Sequence, residues 1–379
     1  MLYLTLLSGE KRKKMREKGK NLKKYISVRA LVLLALFALA ATIYFIARAY
    51  VPLADALNGS VAHLIRRALA FLSNALPFSF AELILVISPV LIALILIGAL
   101  RAFRRGEGIR FIAGFLASFS LLLSAYWFTL GIGYHTSPVS ERAGLAEVAV
   151  DEESLSSTLI RLTEECNALS SELSLDPNGA SVMPISFDEA CEQIIDAYAV
   201  LSEKMPSLGI KSYPSRAKQV ALSKPMSALE ITGVYTFFTG EANVNVHYPD
   251  YNLPFTIAHE LAHQRGIARE DEANFIAFLV CKEAESPYIR YSGYINMLEY
   301  VASALRRAHE VKYREIYETF DPVIVSELRA YSEFYTSNKK PFWSKLSDNV
   351  NDTYLKAQGT EGIISYGLAV RLCVAYYAE

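Results

Sequence analysis

The sequence predicts an α+β protein that is mostly helical, with transmembrane helices near its N-terminus followed by a soluble region that contains a small sheet. Three observations support this fold class. The composition is 52% hydrophobic, which is high for a soluble globular protein. Three long apolar stretches precede residue 134. Beyond that residue, helical spacing of apolar residues is interrupted by one alternating segment of the kind that forms a strand.

The three apolar stretches each approach the roughly 20 residues that a helix needs to cross a bilayer. They read LVLLALFALAATIYFIA, LILVISPVLIALILIGAL and FIAGFLASFSLLLSAYWFTLGIG. The sequence therefore predicts a basic cytoplasmic N-terminus over residues 1–28 and a membrane region with three transmembrane helices over residues 29–133. An alternative is that the first stretch is a cleaved signal peptide, in which case the later two would still anchor the chain.

Basic residues indicate the orientation of these helices. The run KRKKMREKGKNLKK precedes the first stretch, and four arginines separate the second from the third, namely Arg101, Arg104, Arg105 and Arg110. Because basic loops favour the cytoplasmic side of a membrane, residues from about 134 onward are expected outside the cytoplasm. Arg66 and Arg67 lie between the first two stretches, in a loop that this orientation places outside the cytoplasm, so the distribution of basic residues is not perfectly one-sided.

Net charge and cysteine spacing argue against a nucleic-acid partner and against a zinc–thiolate site. A net charge of −1 gives no basic excess for binding nucleic acid. The four cysteines show no CxxC spacing and do not indicate a zinc–thiolate site. Cys166 and Cys191 could pair in an oxidising compartment, and four buried free thiols are the simpler alternative.

The soluble region is expected to divide near residue 230. Residues 134–230 contain two segments with helical apolar spacing, SLSSTLIRLTEECNALSSEL and FDEACEQIIDAYAVLSEKM. Residues 231–379 contain near their start TFFTGEANVNVHYPDY, in which Val244 and Val246 alternate with polar residues after a turn at Gly240. This segment predicts a strand, and helical patterns follow almost to the end of the chain.

A pair of histidines lies in the helical pattern after this strand. The segment NLPFTIAHELAHQRG predicts a short helix with Pro254 in its first turn and Gly266 just past its end. His259 and His263 are four residues apart on one face, so two neutral imidazoles can bind one Zn²⁺ ion. Glu260 is in the position of a general base for a water activated by the metal. The alternative, two surface histidines beside an ordinary glutamate, is less favoured because the chain has only six histidines.

A third protein ligand is required to complete such a site. In the pattern HExxHxxGxxH its position corresponds to Arg269, which cannot bind a cation, and the acidic run Glu270, Asp271, Glu272 follows directly. Glu272 is the favoured third ligand, with Glu270 and Asp271 as alternatives. A carboxylate that does not ligate can orient an imidazole. Acidic residues are also common in the first turn of a helix because of its dipole alone.

The strings around the histidines carry a resemblance to known families. PFTIAHELAHQRGIAREDEANFIAFLV, preceded by TGEANVNVHYPDYNL, resembles a bacterial membrane-protein family of unknown function numbered 3810, and YSGYINMLEY and YLKAQGTEGIISYG are similar to it as well. The resemblance implies a zincin-like fold and a multi-pass protein of the bacterial cell membrane. EANFIA also resembles the EANxFA segment of a soluble bacterial HExxH peptidase family, whose glutamate is the third zinc ligand. Carried over, that glutamate is Glu272.

The expected function is that of a membrane-anchored zinc metallopeptidase, which hydrolyses peptide bonds in a peptide or protein with zinc-activated water and Glu260 as general base. An extended substrate is expected to pair with the predicted strand at Glu241, Ala242, Asn243, Val244 and Asn245, although an ordinary sheet edge is equally compatible with the pattern. The oxyanion donor is expected among His247, Tyr291, Tyr294 and Tyr366. The alternative function is a non-catalytic zincin-fold sensor or scaffold protein.

Overall fold

The computed structural model describes residues 26–340, 345, 349, 353 and 366–378. The predicted basic run at 11–24 therefore lies outside the described residues. In chain order the elements are α1 (Val28–Ala49), α2 (Val51–Leu57), α3 (His63–Asn74), α4 (Phe80–Arg104), α5 (Gly108–Thr129), α6 (Val139–Ala143), α7 (Glu152–Ser170), α8 (Phe187–Lys204), β1 (Lys218–Gln219), α9 (Ser223–Ala228), β2 (Gly233–Thr236), β3 (Glu241–Val244), α10 (Asn252–Gln264), α11 (Glu270–Lys282), α12 (Pro287–Ala308), α13 (Glu310–Tyr317), α14 (Pro322–Asn338) and α15 (Tyr366–Tyr377). The protein is thus mostly helical with a small sheet, as the sequence predicts.

The first of two compact units consists of the chain up to Ala49 together with Leu83–Trp127. It contains α1 and most of α4 and α5, which are the three helices that are long and apolar enough to cross a membrane among the described residues. The prediction of three such helices is confirmed. The Trp127 ring stacks on Phe37 and Tyr44 at centroid distances of 5.3 and 5.0 Å, so α1 and α5 are in contact within this unit.

The second unit consists of Tyr50–Glu82 and Phe128–Glu379. The sequence grouped residues 50–82 with the membrane region, whereas their contacts assign them to the second unit. Arg66 of α3 explains the difference, because its guanidinium group is buried there. It donates hydrogen bonds to Oδ1 and the carbonyl of Asn58, both at 2.9 Å, and to the carbonyl of Thr129 at 3.3 Å.

Two helices predicted in the second unit, α7 and α8, are confirmed, and each begins with a capping box. The Asp151 side chain accepts a hydrogen bond from the N–H of Ser154, whose hydroxyl accepts from the N–H of Asp151. Ser186 and Glu189 repeat the arrangement at α8. These side chains satisfy N–H groups that lack partners within the helix. The buried Cys166 and Cys191 lie on these helices as free thiols, so the alternative of a disulfide between them is not observed.

The core of the second unit is centred on α10 and α11. Every residue of α10 is buried except His259, and α11 is buried without interruption from Asp271 to Cys281. The two helices pack against each other and against α12, which also packs against α7. A helix that is buried all round occupies the centre of a domain. His259 is consequently the one position where α10 reaches a partly open space.

The sheet has the strand order β1-β3-β2, with β1 parallel and β2 antiparallel to the central strand β3. The predicted strand is therefore observed, but its predicted pairing with a substrate is contradicted for Glu241, Ala242, Asn243, Val244 and Asn245. The whole segment is already paired on its β2 side, where Asn245 also donates its N–H to the carbonyl of Thr232, and Asn243 and Val244 are paired with β1 as well. The Glu241 carboxylate accepts the N–H groups of Phe80 and Ala81 at 2.9 and 2.8 Å. The side chain of Glu241 thus caps the start of α4.

Candidate metal centre

The turn after α10 positions the second histidine of the pair. Gly266 has a φ of 98°, a left-handed conformation that favours glycine, and it stands just past the helix as predicted. The chain then reverses, and the Ile267 carbonyl lies 2.7 Å from Nδ1 of His263. A neutral His263 that donates from Nδ1 leaves the lone pair of Nε2 free. Such hydrogen bonds orient metal-binding imidazoles.

Three potential ligand atoms converge on one point. Nε2 of His259 and Nε2 of His263 are 3.0 Å apart, and Oε2 of Glu270 lies 3.2 Å from the first and 3.5 Å from the second. A four-coordinate Zn²⁺ ion with ligands at about 2.0–2.2 Å keeps its donor atoms roughly 3.3–3.6 Å apart. Two imidazoles and a carboxylate at these separations fit a zinc ion and leave a fourth position for another ligand.

The structure brings Glu270 to the histidines and directs Glu272, the favoured third ligand, elsewhere. Oε1 of Glu272 accepts hydrogen bonds from the Val139 N–H and from the Arg269 guanidinium group, both at 2.8 Å. The physical reason is the phase of α11. Successive residues of an α-helix are rotated by about 100°, so Glu272 lies about 200° around the helix from Glu270. Only one of the two can face α10.

Asp271 and Arg269 also direct their side chains away from the two histidines. Asp271, the other alternative ligand, is buried next to Glu272, and burial followed by the Glu272 charge raises its pKa to about 6. Arg269 donates to the carbonyls of Tyr134 and Thr136 at 3.0 and 2.9 Å. Both residues therefore lie outside the triad formed by His259, His263 and Glu270.

Glu260 lies on the side of α10 that faces the sheet. Its carboxylate accepts a hydrogen bond from the Tyr235 main chain, while Oε2 is buried without a hydrogen-bond partner among the described residues. Gly233 makes room for it, because a Cβ atom at that position would lie 2.5 Å from Oε1 of Glu260. Burial raises the pKa of Glu260 to about 7, although the charges of His259 and His263 oppose the shift. A carboxylate in this setting is able to take up a proton near neutral pH.

The electrostatics of the triad favour a positive charge between its members. Burial lowers the pKa of His263, but the Glu270 and Glu260 carboxylates outweigh burial and raise it to about 9. Burial acts to raise the pKa of Glu270, and the His263 and His259 imidazoles outweigh it, so that the pKa is held well below its usual range. A proton or a metal cation is therefore favoured at the point where these groups meet.

Comparison with known proteins identifies the family. Residues 58–374 match the model of a family described as "Protein of unknown function (DUF3810)". The chain belongs to this family. The match begins directly after α2 and ends within α15, and so includes all three residues of the triad. No curated protein and no solved structure matches the chain.

Of the candidate oxyanion donors, the three whose side chains the structure describes have contacts other than the triad. His247 is paired through Nδ1 with the Ser227 hydroxyl at 3.1 Å. Tyr291 is fully buried, and the ionisable groups that influence it include Cys166 and Glu327 rather than members of the triad. Tyr294 packs on Phe278 with ring centroids 5.7 Å apart. The side chain of Tyr366 lies outside the described residues.

A cavity of about 300 Å³ adjoins the triad and is lined by residues that the sequence analysis missed. His259 and Glu270 form part of its wall. The polar residues that join them there are Thr232, Asn252, Thr256, Asn274, Asn296, Glu299, Tyr300, Ser303 and Tyr331. Helical spacing is a signal that could have found several of them. Asn252, Thr256 and His259 fall on one face of α10, and Asn274 follows Glu270 by one turn of α11.

Proposed function

We propose that this DUF3810 protein is a membrane-anchored zinc-dependent metallopeptidase that hydrolyses peptide bonds. The observation that carries the proposal is the convergence of two imidazole nitrogens and the Glu270 carboxylate within 3.0–3.5 Å, with Glu260 next to one of those imidazoles in the chain. When bound, one Zn²⁺ ion supplies the positive charge that acidifies water and polarises a carbonyl. His259, His263 and Glu270 would hold it.

Glu260 is proposed as the general base. Its Oε2 atom is buried and has no hydrogen-bond partner among the described residues, so it is available to accept a proton from the attacking water. A general base works best when its pKa lies near the operating pH, and burial raises the pKa of Glu260 to about 7. A sensor or scaffold would have no use for a carboxylate held in this way, which favours the enzyme over that alternative.

The edge strand β2 is proposed to bind the substrate main chain in place of β3. Hydrogen-bonded pairs alternate along an antiparallel ladder. Because Asn245 donates to the Thr232 carbonyl, the bonded pairs involve Thr232, Val234 and Thr236, and the main-chain groups of Gly233 and Tyr235 point away from β3. Tyr235 directs its N–H to Glu260 in this way. An extended peptide added to this edge would lie beside the base.

The decisive experiment combines metal content with peptide cleavage in the full-length protein. Purified wild-type protein is expected to bind one zinc ion and to cleave unstructured peptides, and chelation of the metal should abolish cleavage. Glu260→Gln is expected to retain zinc and lose at least about 100-fold in kcat, the lower end of the contribution of a general base. His259→Ala/His263→Ala is expected to lose zinc.

Two outcomes would contradict the proposal. Full activity of Glu260→Gln would remove the assignment of the base. Stoichiometric zinc in the wild type, without cleavage of any member of a broad peptide library, would instead support a sensor or scaffold.

The second unit is proposed to lie outside the cytoplasm. Tyr50–Glu82 and Phe128–Glu379 belong to one unit, so both segments should share a side of the membrane, opposite the arginine-rich loop between α4 and α5. That loop favours the cytoplasm. Arg66, which the sequence placed on the disfavoured side, is buried with hydrogen-bond partners in the second unit. Its presence there therefore has a structural reason.

Labelling with a membrane-impermeant maleimide tests this orientation. The four native cysteines are buried, so background labelling should be low. Glu147→Cys is expected to react in intact cells and Glu107→Cys only after lysis, since both positions are exposed. The reverse pattern would place the site in the cytoplasm.

A further inference from the structure

The cavity next to the triad has a lining that accepts hydrogen bonds and carries negative charge. Two carboxylates, Glu270 and Glu299, form part of its wall, and none of its described lining residues is lysine or arginine. A zinc ion held by the triad would neutralise Glu270 and leave the charge of Glu299 without a counterion. The cavity is therefore complementary to a cation.

Glu299 of α12 has one uncharged partner. The Tyr251 hydroxyl donates a hydrogen bond to its Oε1 atom, and no basic side chain of the described chain forms an ion pair with it. Placing a carboxylate in a protein interior is costly unless a charge or hydrogen bonds compensate it. Burial raises the pKa of Glu299 to about 7. A positively charged group in the cavity would restore the ionised form.

Asn252 contributes a second acceptor. The residue is 6% exposed and lines the cavity. Its Nδ2 donates to Oδ1 of Asn296 at 3.0 Å, whereas its Oδ1 is buried with no hydrogen bond among the described residues. Asn296 in turn donates to the Ser292 carbonyl at 2.8 Å. Each amide of this pair uses a donor within the protein, and the Oδ1 acceptor of Asn252 is left over.

We propose that this cavity, the amine pocket, binds an amino group of the substrate residue next to the scissile bond, with Glu299 as counterion and Asn252 as a second acceptor. The inference rests on the proposed peptidase function and names its substrate class. A volume of about 300 Å³ suits one residue rather than a long peptide segment. Tyr300 and Tyr331 add aromatic rings to the wall, and the faces of such rings attract cations. The amino group comes from a lysine side chain or from a free N-terminus.

Binding to the full-length Glu260→Gln protein loaded with zinc tests the amine pocket without cleavage. Two pairs of short peptides are compared: N-acetylated peptides with lysine or norleucine at one position, and lysine-free peptides with a free or an acetylated N-terminus. We expect the amine of at least one pair to lower Kd by about tenfold or more, as a charge-assisted hydrogen bond does. The pair that responds identifies the source of the amino group.

Two further substitutions in this background assign the effect to Glu299. Glu299→Gln keeps an acceptor for Tyr251 and removes the charge, so the preference for the amine should disappear. Glu327→Gln is the matched control. Glu327 is buried and, like Glu299, has its pKa raised to about 7 mainly by burial, but it does not line the cavity, and its substitution should leave the preference intact.

The possible results separate this inference from the proposed function. Equal affinity for amine and neutral peptides, including undetectable binding of both, overturns the amine pocket, as does a preference that survives Glu299→Gln. Cleavage by the wild type without any preference for amines would leave the peptidase in place and remove the pocket. A preference in the binding assay without cleavage by the wild type would leave the amine pocket in place and contradict the proposed peptidase.

Discussion

The two units of the molecule depart from the usual distribution of side chains in opposite directions. In the first unit, apolar side chains are exposed, and α4 has no buried residue along its length. In the second unit, charged and amide side chains are buried in the centre of the core, including Glu260, His263 and Gln264 on α10 and Arg265 directly after it. Exposed apolar surface on this scale indicates a partner, which we propose is a lipid bilayer, and buried polar groups indicate either a structural network or a site.

Within the second unit, the two kinds of buried polar group differ in their partners. Arg66 and Glu272 have charged or main-chain partners on neighbouring elements. His259, His263 and Glu270 instead bring three potential ligand atoms within 3.0–3.5 Å of one another. The first kind is expected to contribute stability and the second to contribute function. Substitutions at three pairs of similar residues test this distinction.

Glu270 and Glu272 give the largest expected contrast, because they are two residues apart with different partners. Glu270→Gln should weaken zinc binding by more than the roughly 100-fold that loss of an outer-shell partner causes. Glu272→Gln should keep zinc binding within about tenfold and lower the free energy of unfolding by about 1–3 kcal/mol, because Arg269 loses a charged partner. Competition with a chromophoric chelator and thermal unfolding measure the two effects.

An exchange of these two results would contradict the geometry. Weak zinc binding in Glu272→Gln together with tight binding in Glu270→Gln would mean that the first turn of α11 presents its other face to α10.

Gly233 gives the next contrast, because it lies against Glu260, the proposed general base. A Cβ atom there would stand 2.5 Å from Oε1 and 2.7 Å from Cγ of Glu260, so Glu260 or β2 must shift. Displacement of a catalytic group by about 1 Å can lower the rate by roughly 100-fold. We expect Gly233→Ala to reduce kcat between tenfold and that limit and to keep zinc binding.

Gly59→Ala is the control for Gly233→Ala, because a Cβ atom there meets nothing within 4 Å. Its kcat should equal that of the wild type. Unchanged kcat in Gly233→Ala would show that Glu260 is not held against β2 during the reaction.

The parts of the fold that local pattern determines were predictable from the sequence. Apolar length predicted the three candidate membrane helices, and helical spacing predicted α7, α8 and α10, the last with Pro254 in its first turn. The position of His259 and His263 on one face follows from the same periodicity. Each of these features depends on residues that are close in the sequence.

The parts that depend on distant partners were not predictable. The choice between Glu270 and Glu272 depends on how the turn at Gly266 sets the phase of α11, and a small rotation reverses it. The pairing of β3 depends on β1, a two-residue strand more than twenty residues earlier in the chain, which has no pattern of its own. The cavity combines faces of α10, α11 and α12 with Tyr331 of α14, and only tertiary packing brings these elements together.

Arg66 and Arg67 give the smallest expected contrast, and it concerns stability alone. The two are adjacent on α3, and Arg66 is 2% exposed with three hydrogen bonds to Asn58 and Thr129, whereas Arg67 is exposed. Arg66→Met keeps an unbranched side chain but leaves buried acceptors without a donor, which costs about 1–3 kcal/mol. Arg67→Met should change the free energy of unfolding by less than about 0.5 kcal/mol. Denaturant unfolding of the detergent-solubilised protein, monitored with zinc content, measures both.

Loss of zinc from Arg66→Met while the protein remains folded would mean that Arg66 acts on the site through Gly266, whose carbonyl accepts a hydrogen bond from Asn58 at 3.1 Å. In that case the separation between stabilising and functional polar groups would fail at this residue.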